Sequence, residues 1–225
     1  MAVAETILEG GWMKILVSVP STGLLRTELV SWLLKAQAQG CQIDLPQNRP
    51  LDVARNVQVK RFFTLSDADA MLTVDSDTVP PPDAIARLVA ADKDVVAIAA
   101  QNWNYAQGGL ITYVCSRSEQ GVYEVSRNLS GLVKCDAVGF GCVLIKRHVL
   151  EAMSPPWFQW LIEKDGCGIV LGEDLYFCQK AQQLGFEIWA DCDRLVSHYH
   201  ELDMRAVNDY MRRVWDESRR CTEER

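Results

Sequence analysis

The chain has 225 residues, enough for one domain with a full core and a small appended element. Its 23 basic and 30 acidic side chains give a formal charge of -7, which excludes broad, non-specific nucleic-acid binding. An anionic ligand would therefore need a local device, such as a bound cation or a helix N-terminus. The eight cysteines (41, 115, 135, 142, 167, 178, 192 and 221) are scattered and form no C-x-x-C pair, so zinc-ribbon and thioredoxin-like readings lose their basis. Reduced thiols in a cytoplasmic protein are expected. No apolar run nears the length of a bilayer span, so no transmembrane segment is expected.

Residues 1–13 read as an N-terminal extension, residues 14–200 as the domain and residues 201–225 as a helical tail. KILVSV is a buried-strand run, followed after a Pro-Ser-Thr-Gly turn by helical spacing at Leu25, Leu29, Val30, Leu33 and Leu34. CQIDL is a short strand, and Val53 to Leu65 a helix. The run Met71 to Val74 is a strand buried on both faces. Pro80 to Pro82 lead into a helix over Asp83 to Ala91, and DVVAIAA is the next strand. Strands alternating with helices imply a mainly parallel, Rossmann-like sheet in this half. The second half offers short strands ITYVCSR, GVYEVSR, LVKCDAV and CVLIK, then a helix over Arg147 to Met153. An irregular stretch with Pro155, Pro156, Trp157 and Trp160 follows, then a helix over Glu173 to Leu184 and the strand FEIWA. The tail from Met204 to Arg220 is helical, with Val207, Tyr210, Met211, Val214 and Trp215 on one face. Its basic and aromatic residues allow peripheral membrane contact, whereas its acids (Asp209, Asp216, Glu217, Glu223, Glu224) favour a helix docked on its own domain.

Asp75 and Asp77 follow the strand Met71 to Val74 immediately, where ligands bind in open α/β sheets. A metal site and a solvated turn whose acids cap loop amides both fit that pair alone. Glu173 and Asp174 open a helix, where acids are also common for structural reasons. His198 and His200 lie beyond a late strand, and alternate residues of an extended segment face one way. One of the two could be a ligand and the other a surface residue. Arg55 and Asn56 stand early in a helix, as salt-bridged surface groups or as ligand contacts. Trp103, Trp157 and Trp160 are packing residues or sugar-stacking platforms, with Trp157 the stronger stacking choice for its Pro-rich loop.

Taken as an ordered series, VSVPSTG, ARN, TVDSDTVPPPDAI, VGFGCVLIKRHVL, GEDLYFCQKAQQLGFEIW and DRLVSHYH resemble the GT-A nucleotide-sugar glycosyltransferases, particularly the family-two-like group. The resemblance spans residues 14 to 200 and implies an α/β domain with a nucleotide-binding half (14–100) and an acceptor half (101–200). It implies that Asp77 and His198 hold a divalent metal, with Asp75 contacting ribose or supporting the metal. It makes Asp174 the general base and Glu173 an acceptor-side acid. Pro20, Ser21, Asp44 and Arg55 would line the nucleotide pocket, and Gly139 and Gly141 would let backbone approach the sugar. Carboxylate and imidazole ligands suit manganese, with magnesium also compatible. The partners implied are a UDP- or GDP-linked sugar and a hydroxyl acceptor such as a carbohydrate, in an inverting or a retaining transfer. A nucleotidyltransferase of related fold is the competing enzyme reading, although VPSTGLLR is only weakly like its phosphate loop. A non-catalytic nucleotide-sugar-binding module is the third.

Overall fold

The computed structural model describes residues 13–21, 23–47, 50–104, 109–126, 129–201 and 203–223, with side chains described through 216. The expected N-terminal extension, apart from Met13, and the tail acids Glu217, Glu223 and Glu224 lie outside those limits. The first half comprises β1 (Ile15–Ser18), α1 (Thr27–Ala38), β2 (Gln42–Asp44), α2 (Leu51–Leu65), β3 (Ala70–Val74), β4 (Thr78–Val79), α3 (Ala84–Ala91) and β5 (Val95–Asn104). After it come β6 (Gly109–Thr112), β7 (Val114–Arg117), β8 (Tyr123–Val125), β9 (Leu132–Cys135), β10 (Ala137–Val138), β11 (Cys142–Lys146) and α4 (Arg147–Ala152). The chain continues through β12 (Leu161–Ile162), β13 (Ile169–Leu171), α5 (Glu173–Gln183), β14 (Ile188–His198) and α6 (Met204–Glu223).

The main sheet runs β2-β1-β3-β11-β5-β14-β4, with β6 added to β5 and β9 to β14. β1, β2 and β3 pair in parallel, as do β5 and β14. β11 is inserted antiparallel between β3 and β5. Its unbroken apolar run fits a strand buried on both faces, and all of Cys142 to Ile145 is buried. Side chains alternate across the strands into two cores. Leu16, Met71, Val95, Val143 and Ile145 face one with residues of α2, α4 and α5, while Val17, Leu72, Val96, Ile98 and Leu144 face the other with α1 and α3.

Several elements depart from the sequence expectation. The helix expected from the spacing that begins at Leu25 starts at Thr27 and buries Leu29, Trp32, Leu33 and Ala36, leaving Leu34 61% exposed. The Trp32 indole N–H donates to the Pro81 carbonyl at 3.2 Å on the buried face. ITYVCSR divides at Tyr113 into β6 and β7, which join different sheets. FEIWA is the start of a longer strand. β14 pairs with β5 as far as Asp191, bulges, and resumes at Leu195 and Val196 before crossing to β4. Arg87 forks onto Asp191 at 2.5 and 2.8 Å, which holds the bulge against α3.

Leu144 is 1% exposed in the middle of β11. Leu144→Ala is expected to destabilise the fold by about 3 kcal/mol through lost burial and a residual cavity. Urea unfolding should show a lower midpoint with an unchanged slope.

Candidate active site

The carboxyl end of β3 meets the start of β11 at the DSD turn. Asp75 N–H donates to the Gly141 carbonyl at 3.3 Å, and Thr78 N–H closes the turn on the Asp75 carbonyl at 3.1 Å. The buried Thr78 hydroxyl lies 2.7 Å from the Gly141 carbonyl and 3.0 Å from that of Asp75. A Cβ on Gly141 would come within 3.2 Å of the Thr78 methyl and 3.5 Å of Ala100, so any larger residue would crowd the turn. Thr78 then pairs with His198 across β4 and β14, and Tyr199 N–H donates to the Asp77 carbonyl at 2.9 Å. That register carries the late histidines to the aspartate turn.

Three ligand groups gather there. The atoms that Asp77, His198 and His200 can offer a metal lie within 4.8 Å of one another. His198 Nδ1 stands 2.8 Å from the Gln101 carbonyl, which can only accept, so Nδ1 carries the hydrogen. Nε2 faces the Asp77 carboxylate at 3.4 Å, donating to it when protonated and offering a metal its lone pair when that proton is released. Burial works to raise the Asp77 carboxyl, but the bond and charge of His198, a backbone hydrogen bond and the His200 charge together outweigh it, and the group sits below its usual range. Burial also opposes charge on His198, yet Asp77 and the Gln101 carbonyl raise it overall. Burial and the His198 charge lower His200, which favours its neutral, ligating form. One carboxylate and two imidazoles fit a transition-metal ion such as Mn2+ better than Mg2+, which prefers oxygen.

Asp75 is not part of this cluster. Its carboxylate accepts from Arg55 at 2.9 Å, and Arg55 donates from Nε to Glu173 at 3.2 Å and from Nη1 to the Thr73 hydroxyl at 3.3 Å. Arg55 is 2% exposed, with the rings of Phe140 and Phe158 at 5.2 and 5.9 Å. Burial raises Asp75, and the guanidinium opposes that without reversing it. Asn56, next in the helix, accepts from Trp157 N–H at 2.9 Å and donates to the Phe158 carbonyl at 2.6 Å. It clamps the Pro-rich loop that carries Phe158.

A cavity of about 470 Å3 opens beside these groups. Arg55, Asp75, Gly139, Gly141, Glu173, Asp174 and His198 line it, together with residues the sequence did not single out for a site: Asn102, Tyr113 and the β12–β13 hairpin face Ile169 to Leu171. Of the three tryptophans weighed as platforms, Trp160 lines the cavity. Trp157 donates its indole N–H to the Leu150 carbonyl and packs on Phe63, and Trp103 meets Tyr210 of α6 edge-on. Asp174 accepts from Leu175 N–H at 2.8 Å, while burial and the neighbouring Glu173 charge push it up to about 6. Glu173 is buried against Arg55.

Pro20, Ser21 and Asp44 are buried at the carboxyl ends of β1 and β2, outside that cavity. Ser18 pairs in register with both Asp44 and Thr73, so Pro20 and Ser21 continue level with Asp75. The Asp44 carboxylate takes the Arg61 guanidinium at 2.6 Å and the Ser18 hydroxyl at 3.3 Å. Arg61 carried no sequence signal beyond its charge.

No described protein family and no curated protein matches the sequence. Solved structures do resemble it. A197 from STIV superposes with a TM-score of 0.59 at 21% identity, over 85% of this chain and 87% of that one. GalNAc-T7, solved with UDP, GalNAc and Mn2+, superposes with a TM-score of 0.54 at 12% identity over 85% of this chain. The chain spans 44% of GalNAc-T7. The architecture is a GT-A-like α/β fold, a mixed and mainly parallel sheet flanked by helices. Among the described residues no helix is long and apolar enough to cross a membrane.

Two measurements check the site. Mn2+ should raise the melting temperature saturably and more than Mg2+ does, and both Asp77→Ala and His200→Ala should weaken that response. Arg55→Met should cost about 3 to 5 kcal/mol in denaturant unfolding, because it strands Asp75 and Glu173 without their partner.

Proposed function

We propose that the protein is a metal-dependent glycosyltransferase that moves a sugar, a hexose in this reading, from a UDP- or GDP-linked donor to a hydroxyl of a carbohydrate acceptor. The observation that supports it best is one cavity lined both by His198, a member of the Asp77–His198–His200 cluster, and by Asp174, an aspartate pushed up to about 6. The ion held by the cluster would supply Lewis-acid neutralisation of the donor diphosphate. Asp75 and the ends of β1 and β2, with Pro20, Ser21 and Asp44, would receive the nucleoside. Trp160 offers an indole face to a sugar ring.

Asp174 takes the acceptor hydroxyl's proton in this reading, a role worth about 10² to 10⁴ in rate. Glu173, fixed by Arg55, keeps a second negative charge beside it and helps hold its proton affinity up. A base must be ionised, so transfer is expected to fall as the pH drops through about 6. The stability consequence has the opposite sense. A carboxyl raised in the folded state costs stability above its folded value, and that cost disappears below the unfolded value near 4. Asp174→Asn should therefore stabilise the protein at pH 7.5, by about 3 kcal/mol at most, and leave it nearly unchanged at pH 3.

Activity tests the reading. A thermal-shift screen of nucleotide sugars with Mn2+ should single out a donor, and that donor should then be consumed with release of its nucleoside diphosphate. Asp77→Ala should abolish turnover and metal-dependent donor binding. Asp174→Asn should cripple transfer while leaving donor binding nearly intact. Release of pyrophosphate from a nucleoside triphosphate would instead make the protein a nucleotidyltransferase.

A further inference from the structure

The β12–β13 hairpin turns aliphatic side chains toward the cavity and leaves them open to solvent. Leu161 pairs with Leu171 and Ile162 with Ile169, so Val170 is the extra residue of a bulge. The bulge lets three consecutive residues, Ile169, Val170 and Leu171, all line the cavity, which the alternating faces of a regular strand would not allow. Ile169 is 64% exposed and Val170 61%. Leu51, which lines the cavity one helical turn before Arg55, is 40% exposed. Ile162, opposite Ile169, is 59% exposed and carries the same surface outward.

This surface runs up to Asp174. A Cβ on Gly172 would stand 2.9 Å from Asp174 Oδ1 and 3.7 Å from the Trp160 ring, so the carboxylate and the indole flank one glycine. The charges around the aliphatic residues are mainly acidic. Among the described lining residues Arg55 is the one permanently cationic side chain, and it is buried and shared between Asp75 and Glu173. The turn between β12 and β13 adds Glu163 and Asp165 against Lys164, all three exposed. We infer, on the transferase reading above, that the acceptor is an uncharged glycoside with an alkyl aglycone. Its sugar lies on Trp160 with a hydroxyl at Asp174, and its alkyl chain lies along Leu51, Ile169 and Val170. Branched aliphatic side chains gain from covering an alkyl chain and offer little to a hydrated sugar. An anionic acceptor would meet Asp174 and the acidic turn with no uncommitted cation among the described lining residues to hold it.

Calorimetric titration of methyl and hexyl glycosides of glucose, galactose and mannose into the full chain, loaded with Mn2+ and UDP or GDP, tests it. A hexyl glycoside should bind at least about tenfold more tightly than its methyl counterpart, as burial of two or more methylenes requires. Hexyl glucuronide, which is anionic, should bind more weakly than hexyl glucoside. The double variant Ile169→Asp/Val170→Asp should melt with the parent, as both side chains are exposed, and lose the hexyl preference. Leu51→Asp should reduce that preference too, which keeps the test open should the hairpin variant misfold. No binding, equal affinity of methyl and hexyl forms throughout the set, or a preference that survives in both variants would overturn the inference. So would a two-chain mass by light scattering that falls to one chain in the double variant, because the surface would then belong to a second copy. Binding reads the acceptor class and product formation reads the enzyme. A hexyl preference without transfer would count against the transferase alone, and transfer with equal methyl and hexyl affinities against the alkyl aglycone alone.

Discussion

The site depends on a single buried cation. Arg55 leaves α2 to meet Asp75 at the end of β3 and Glu173 at the start of α5, so one guanidinium ties three elements together. Its fork can satisfy three acceptors at once, which a lysine could not do with the same geometry. Such an arrangement adds little net stability over a well-packed apolar substitute, and breaking it is costly. Its value is in fixing positions. With Asp75 held, its backbone groups join Gly141 and Thr78, Thr78 pairs with His198, and the atoms of Asp77, His198 and His200 that could hold a metal converge.

The surroundings make this economical in residues and expensive in free energy. Phe140 and Phe158 flank the guanidinium, and Phe177 packs behind them, stacked on Phe158 at 4.9 Å. Asn56 holds Phe158 in place through backbone contacts. That apolar casing lowers the local dielectric, which strengthens the Arg55 pairs and also raises Asp75 and Asp174. A carboxyl kept near a pH where it can exchange protons is the useful product of that cost.

Much of this was legible before any coordinates. The alternation of strands and helices, the DSD turn after a fully apolar strand, and the E-D pair at a helix start all carry local signals. The insertion of β11 between β3 and β5 was not legible, because an apolar run states that a strand is central but not which neighbours it takes. The two-residue strand β4 is too short for any periodicity, yet it positions His198. His200 shares its segment face with His198, and the spacing alone could not say that both reach Asp77. Arg61, Tyr113 and Asn102 become site neighbours only through long-range packing. The Pro-rich loop drew attention to Trp157, but its indole N–H has a buried partner in Leu150, and Trp160 reaches the cavity instead.

The central claim is that Asp77, His198 and His200 present one divalent ion to a diphosphate. Electron spin echo spectroscopy of the Mn2+-loaded protein with UDP or GDP bound tests it most directly. Nitrogen couplings from two imidazoles are expected, one of them lost in His200→Ala, together with phosphorus couplings from the nucleotide. A bound ion without imidazole nitrogen, or one that keeps its nitrogen but never couples to phosphorus, would contradict it.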